Sequence, residues 1–182
     1  MKTSRFLRSV AAAATVLAAA ALPLRSAHAE QYESGAIRWK VGDGTLLLAA
    51  GVLADNARLR YLNYTFYLQT GDHTLYLIPI VSDKKKLNDY QLSFNTFNGG
   101  EDTITDALVS VKGENVYLVT AHKDAARGYG QPGAVTTKTY RLFAGGEAEW
   151  TYYFAPVAEG KYSVQQDYTV ERALSETAKR LR

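Results

Sequence analysis

No cysteine occurs anywhere in the 182-residue chain. That excludes disulfide bridges, a thiol nucleophile, a thiolate-bound metal and a lipid-modified N-terminal cysteine. The fold must therefore hold through its apolar core, and a domain of roughly 150 residues can bury about two thirds of its unfolded surface. Histidine is scarce too: beyond residue 29 only His73 and His122 remain. No Gly-x-Ser-x-Gly elbow and no His-Glu-x-x-His helix accompanies them, so neither a serine hydrolase nor a zinc protease is supported. His73 sits in a Gly-Asp-His turn, and His122 ends a predicted strand, where a hydrogen-bonded structural role is expected. Long apolar runs are also lacking. The one candidate, Val10 to Leu22, is shorter than the roughly 20 residues that span a bilayer.

That run belongs to a leader. Lys2, Arg5 and Arg8 precede it, and Ala27-His28-Ala29 supplies the small-x-small pattern before a cut. Residues 1–29 are read as a cleaved signal peptide and residues 30–182 as a single domain, placing the mature protein in the periplasm or outside the cell. Ser4-Arg5-Phe6-Leu7 lacks paired arginines, which favours export in the unfolded state. Removing the leader takes away Lys2, Arg5, Arg8 and Arg25 and no acidic residue, so 21 basic against 18 acidic becomes 17 against 18, a net of −1. The basic pI near 9.0 belongs to the precursor. It is not a sign of nucleic-acid binding. The run Lys84-Lys85-Lys86, flanked by Asp83 and Asp89, reads as a solvated turn.

What is present is β-rich. Short alternating runs are punctuated by Gly, Asn and Asp, with strands expected over Gly35–Val41, Thr45–Leu53, Leu59–Gln69, Leu75–Val81, Tyr90–Phe97, Ile104–Lys112, Glu149–Val157 and Lys161–Tyr168. Asp43-Gly44 supplies the positive φ of a tight hairpin. Pro79 removes a ladder donor, so its strand is placed at an edge or bulge. After Gly160 the period changes: Val170, Ala173, Leu174, Thr177, Ala178 and Leu181 fall on one helical stripe that Thr169 or Asp167 could cap. The expected fold is all-β, a two-sheet antiparallel β-sandwich of jelly-roll type with one C-terminal amphipathic helix.

Function is sought around Glu114 to Phe143, where two β-rich runs flank the loop Ala125-Ala-Arg-Gly-Tyr-Gly-Gln-Pro-Gly133. Loops on a rigid scaffold gather binding groups. The candidate ligand contacts are Arg60, Lys123, Asp124, Arg127 and Tyr129. Gly128-x-Gly130-x-x-Gly133 matches a dinucleotide fingerprint as a string, but Pro132 and a β-rich run follow where a phosphate-binding helix would have to start. Ser82-x-x-Lys85 has the spacing of penicillin-recognising enzymes without their Ser-Asp-Asn and Lys-Thr-Gly elements. Glu101, Asp102 and Asp106 lie close enough in sequence for calcium but lack a recurring Asp-x-Asp-Gly pattern, so they read as a solvated loop. Twenty aromatic residues remain beyond the leader, and Tyr61, Tyr67, Tyr76 and Tyr117 fall on second strand faces, as packing or as flat contact surface.

The order of motifs resembles the periplasmic carbapenem intrinsic-resistance family. It is carried by Asn56-Ala57 with Tyr64-Thr65-Phe66-Tyr67, Ile78-Pro79-Ile80, Gly99-Gly100 with Asp102 and Asp106, Val119 to Asp124, Val135 to Leu142, Tyr152-Tyr153-Phe154, and Tyr162 before the final helix. The resemblance implies a jelly-roll-related sandwich, export, a homodimer, and protection from carbapenems without hydrolysis. The function expected is that of an exported non-enzymatic binding or protective protein. It would need no cofactor or metal and would take a small anionic ligand or an envelope protein partner, with no nucleic acid and no transmembrane segment. The alternative is a carbohydrate- or cell-wall-binding module that stacks sugar on Tyr61, Tyr67 or Tyr117. A hydrolase has only scattered carboxylates behind it.

Overall fold

The computed structural model describes residues 32–56, 59–100, 102–145 and 150–181. The expected leader lies outside these residues, as do Ala57, Glu101 and Glu149.

Twelve strands and one α-helix make up the described chain: β1 Gly35–Val41, β2 Gly44–Asp55, β3 Leu59–Gln69, β4 Leu75–Leu77, β5 Ile80–Val81, β6 Tyr90–Gln91, β7 Phe94–Asn95, β8 Phe97–Gly99, β9 Asp102–Lys112, β10 Asn115–Lys123, β11 Val135–Ala144, β12 Tyr152–Tyr162 and α1 Val170–Lys179. The all-β class and the closing amphipathic helix are as expected. Ten of the strands lie on one hydrogen-bonded path, β1-β2-β3-β8-β9-β10-β11-β12-β5-β6, with β4 and β7 paired to β3 off it, rather than in two disconnected sheets. Pairing is antiparallel except between β12 and β5.

Pro79 marks the place where the chain changes partners. Ile78 still donates its N–H to Phe66 of β3 at 2.9 Å, whereas the Pro79 carbonyl accepts from Phe154 of β12 at 2.9 Å. The missing proline N–H falls at this handover, so the single expected strand Leu75–Val81 becomes β4 on β3 and β5 on β12. The segment links β3 directly to β12, and the sheet curls so that Phe66 and Phe154 meet edge to face at 5.5 Å. Leu46, Leu48, Leu62, Tyr64, Phe66, Val116, Leu118 and Phe154 fill the space within.

Alternation makes that core. Leu62, Tyr64, Phe66 and Leu68 of β3 are buried, and the residues between them are half-buried. On the other side of β9–β11, α1 sets Val170, Ala173, Leu174 and Ala178 against Leu108, Val119, Ala121 and Val135. Strand β10 is thus covered on both faces. Thr169 is the N-cap, its hydroxyl accepting from the Arg172 N–H at 3.2 Å, while Asp167 closes a preceding 3₁₀ turn in the left-handed region.

Other boundaries moved for local reasons. The first hairpin turns on Gly42, at φ 57°, rather than on Gly44, which pairs with Val41. Expected strand Tyr90–Phe97 is cut into β6, β7 and β8, which pair with β5, β3 and β9 in turn. The expected strand Ile104–Lys112 is a full central strand, β9, that starts two residues earlier at Asp102. No separate strand runs from Lys161 to Tyr168: β12 continues through Gly160 to Tyr162, and Val164–Gln166 is 3₁₀. Gly160 is tolerated mid-strand because the Thr137 hydroxyl occupies the place of a side chain, 2.7 Å from where a Cβ would sit.

Candidate functional site

The loop between β10 and β11 is tied at its base and along its length. Asp124 donates its N–H to Ala134 at 2.8 Å, and Gly133 approaches so closely that a Cβ there would collide with the Asp124 carbonyl. The Asp124 carboxylate accepts from the Ala126 N–H at 3.0 Å, an Asx turn, and Gly128 donates to Ala125 at 2.9 Å. Gly128 and Gly130 adopt φ of 109° and 79°. These conformations, and the close approach at Gly133, account for the three glycines; the element that follows is strand β11, so nothing cradles a phosphate.

The central tie is Asp102 at the start of β9. Its Oδ2 accepts from the Lys123 ammonium at 2.7 Å and from the Gly130 N–H at 3.0 Å. Lys123, only 8% exposed, therefore anchors the loop and has its charge answered from within. Next to Gly130, the Tyr129 ring lies on Gly99: a Cβ at position 99 would be 2.6 to 2.8 Å from three ring atoms. The same ring meets Phe97 at 5.4 Å and 81°, and Phe97 stacks on Tyr61 at 4.8 Å and 16°. Even so, Tyr129 is 54% exposed, and Arg127 is exposed beside it.

Of the five expected contacts, Lys123 is bonded to Asp102, Tyr129 precedes the Gly130 that shares that carboxylate, Asp124 is turned to the Ala126 N–H, and Arg127 is exposed on the same loop. Arg60 lies elsewhere. It stands opposite Asn98 in β8, one residue out of step with the Leu59–Gly99 pair on which Tyr129 rests. By strand alternation it faces the other side of the sheet. Its Nε is buried and has no hydrogen-bond partner among the described residues. The sequence placed Asp102 in a solvated loop and Tyr61 on a second strand face, and it did not point to Gly99 and Phe97 as the support of Tyr129. The available signal was Gly99 within a strand, which marks close approach by another group.

Four residues along β9, Asp106 has a different setting. It is 2% exposed, accepts from its neighbouring Ala107 N–H at 2.7 Å and from the Tyr64 hydroxyl at 3.3 Å, and has no cation beside it among the described residues. Burial pushes its carboxyl up to about 7, against the opposing pull of those two hydrogen bonds. Burial likewise raises the Tyr64 and Tyr32 hydroxyls well above their ordinary range, with the Asp106 carboxyl adding to it. Tyr32 packs on Trp39 and Tyr64, and its hydroxyl accepts from the Val109 N–H at 2.8 Å. Pairing of β8 with β9 ends at Phe97–Thr105, so Asp106 and Tyr32 satisfy amides on the edge of β9 beyond that point.

The other candidates fall into local roles. Asp102 and Asp106 are four residues apart on an extended strand, about 13 Å, too far to share one ion. Among the described residues no group of three His, Asp or Glu is placed to hold a metal. The Ser82 hydroxyl is bonded to Asp89 and the Lys85 N–H to Asp83, which makes a turn between β5 and β6. His122 Nδ1 lies 2.9 Å from the Thr105 hydroxyl, the structural role expected of it. Tyr117 is buried, and Tyr76 packs edge-on against Tyr152. No helix among the described residues is long and apolar enough to cross a membrane.

No protein-family model matches the chain, and no characterised protein matches it by sequence. A solved structure does. The fold is similar to that of CarG. The crystal structure of CarG superposes with a TM-score of 0.61 at 15% identity, covering 84% of this chain and 94% of that one. At that identity the likeness to CarG is one of fold, and the site must be argued from its own residues.

Proposed function

We propose that the chain is an exported, non-enzymatic binding protein that protects by capturing a small anionic ligand at the loop between β10 and β11. One observation carries the reading: the Asp102 carboxylate fixes the loop backbone at Gly130, while the neighbouring Tyr129 and Arg127 are left facing solvent. Binding groups held in place before the ligand arrives lose less entropy on binding. The similarity to CarG and the resemblance to the carbapenem intrinsic-resistance family make a carbapenem, a ring system with a carboxylate, the first ligand to try. The non-enzymatic part rests on the sequence, which sets neither a Gly-x-Ser-x-Gly elbow nor a His-Glu-x-x-His helix around its few histidines. The leader at residues 1–29 supports export.

The test is thermal unfolding of the protein from Glu30 to Arg182 with and without a carbapenem, with the intact drug assayed alongside. Ligand at a hundredfold over its dissociation constant adds about 2.7 kcal/mol, a readily visible shift. A shift with the drug intact supports protective binding. Loss of the drug overturns the non-enzymatic reading, and no shift with any anionic β-lactam, muropeptide or oligosaccharide overturns the small-ligand reading in favour of an envelope protein partner.

A further inference from the structure

We infer that Tyr129 is the stacking platform of a saccharide site and that Arg127 gives it a preference for sugars bearing a carboxylate; this deepens the anionic-ligand reading above and rests on it. A tyrosine exposed by accident would be held only by its own χ angles. Tyr129 is held on three sides. One ring face lies on Gly99, where any side chain would take its place. Phe97, backed by Tyr61, stops it along the sheet. The next residue, Gly130, is bonded to Asp102, itself fixed by Lys123. What results is a flat aromatic surface, 54% exposed, with little rotational freedom left to lose.

The chemistry of the partner follows from that surface. The open ring is suited to another flat apolar face, which a pyranose presents through its axial C–H bonds while its hydroxyls stay in water. Arg127, two residues earlier and exposed, can meet a carboxylate in a two-point hydrogen bond. The nearest carboxylate in the loop, Asp124, is turned to the Ala126 N–H. The platform is open on its outer side, so a ligand can extend beyond one ring and gather further contacts along the sheet, as an acidic oligosaccharide does.

The experiment titrates the protein from Glu30 to Arg182 with a galacturonic acid tetramer and, as the neutral counterpart, a galactose tetramer, read by calorimetry. The acidic sugar is expected to bind more tightly than the neutral one. Tyr129→Ala should weaken both by about tenfold, the size of an aromatic contact, and Tyr129→Phe should bind as the parent does. Arg127→Gln should remove the preference and leave the neutral sugar unchanged. Equal binding by Tyr129→Ala and the parent overturns the platform, as does a Tyr129→Phe variant as weak as Tyr129→Ala. Silence with both sugars overturns the saccharide class, while a carbapenem that still shifts thermal unfolding leaves the anionic-ligand reading standing.

Discussion

Asp102 and Asp106 lie on the same strand and the same face-parity, yet one holds a charged pair at the rim and the other a carboxyl buried among tyrosines. Asp102 has an ammonium at 2.7 Å, and its side chain is 23% exposed, so its charge is both answered and partly hydrated. Asp106 is 2% exposed, has only neutral hydrogen-bond donors, and is driven toward its protonated form. The difference comes from the neighbouring strand. Position 123 on β10 brings a lysine to the first, whereas the second lies across from Ala121. The comparison teaches that a carboxylate's role here is set by what stands on the strands beside it.

The largest expected effect tests the buried carboxyl. Asp106 holds its proton in the folded state up to about pH 7 but gives it up near 3.8 when unfolded. The folded state therefore binds more protons across that window. Stability should fall as pH rises from about 4 to about 7, by on the order of 4 kcal/mol, and level off above. Asp106→Asn keeps an acceptor for the Ala107 N–H and removes the titration. Urea unfolding of this variant should be flat over the same window, and the variant should be the more stable protein at pH 8; a parent curve that rises with pH would reverse the assignment.

Breaking the rim pair should have a smaller effect. Lys123→Ala leaves Asp102 without its cation and is expected to cost about 2 kcal/mol, below the value for a fully buried pair because both side chains retain some exposure. Asp102→Asn, which still accepts from Gly130 but leaves the more deeply buried Lys123 ammonium unanswered, should cost at least as much; an Asp102→Asn urea midpoint equal to the parent's would mean that the charge does not hold the loop. Next comes Tyr32→Phe. It strands the Val109 N–H and should lower stability by about 1 kcal/mol with little change in pH dependence. The smallest effect belongs to Tyr129→Ala, within about 0.5 kcal/mol by thermal unfolding, because more than half of that side chain already faces water. Stability would then separate the buried carboxyl from the exposed ring, and ligand titration would rank the two regions the other way round.

Strand periodicity made β1, β2, β3 and β10 legible, since one face of each is apolar over several repeats, and β11 was legible from its β-branched and aromatic run. It failed where pairing is short or shared. Tyr90 to Phe97 alternates well enough for one strand, but its residues serve three different partners, and nothing local records that. Strand β9 was expected only from Ile104, with Asp102 left in a solvated loop; Asp102 and Asp106 become tolerable in the strand only once Lys123 and Tyr64 are brought to them. Of the candidate site, the loop and its two exposed residues were readable from glycine and proline spacing. The platform beneath Tyr129 was not, because Gly99 and Phe97 lie about thirty residues away along the chain. Arg60 was grouped with the loop on charge alone, and strand alternation places it on the opposite side.

By itself the amino-acid order determined the all-β class, the terminal helix and its cap, the chemistries that lack of cysteine and scarcity of histidine rule out, and a glycine-rich loop between two long strands. These depend on interactions within a few residues, such as alternation, turn conformations and helical spacing, and local sequence carries them directly. The tertiary structure alone decided that Pro79 hands the chain from β3 to β12, that Lys123 serves Asp102, that Asp106 is buried without a cation, and that Tyr129 rests on Gly99. Each of these joins groups distant in sequence. Their free energy exists only when the curled sheet has brought them within van der Waals or hydrogen-bond reach.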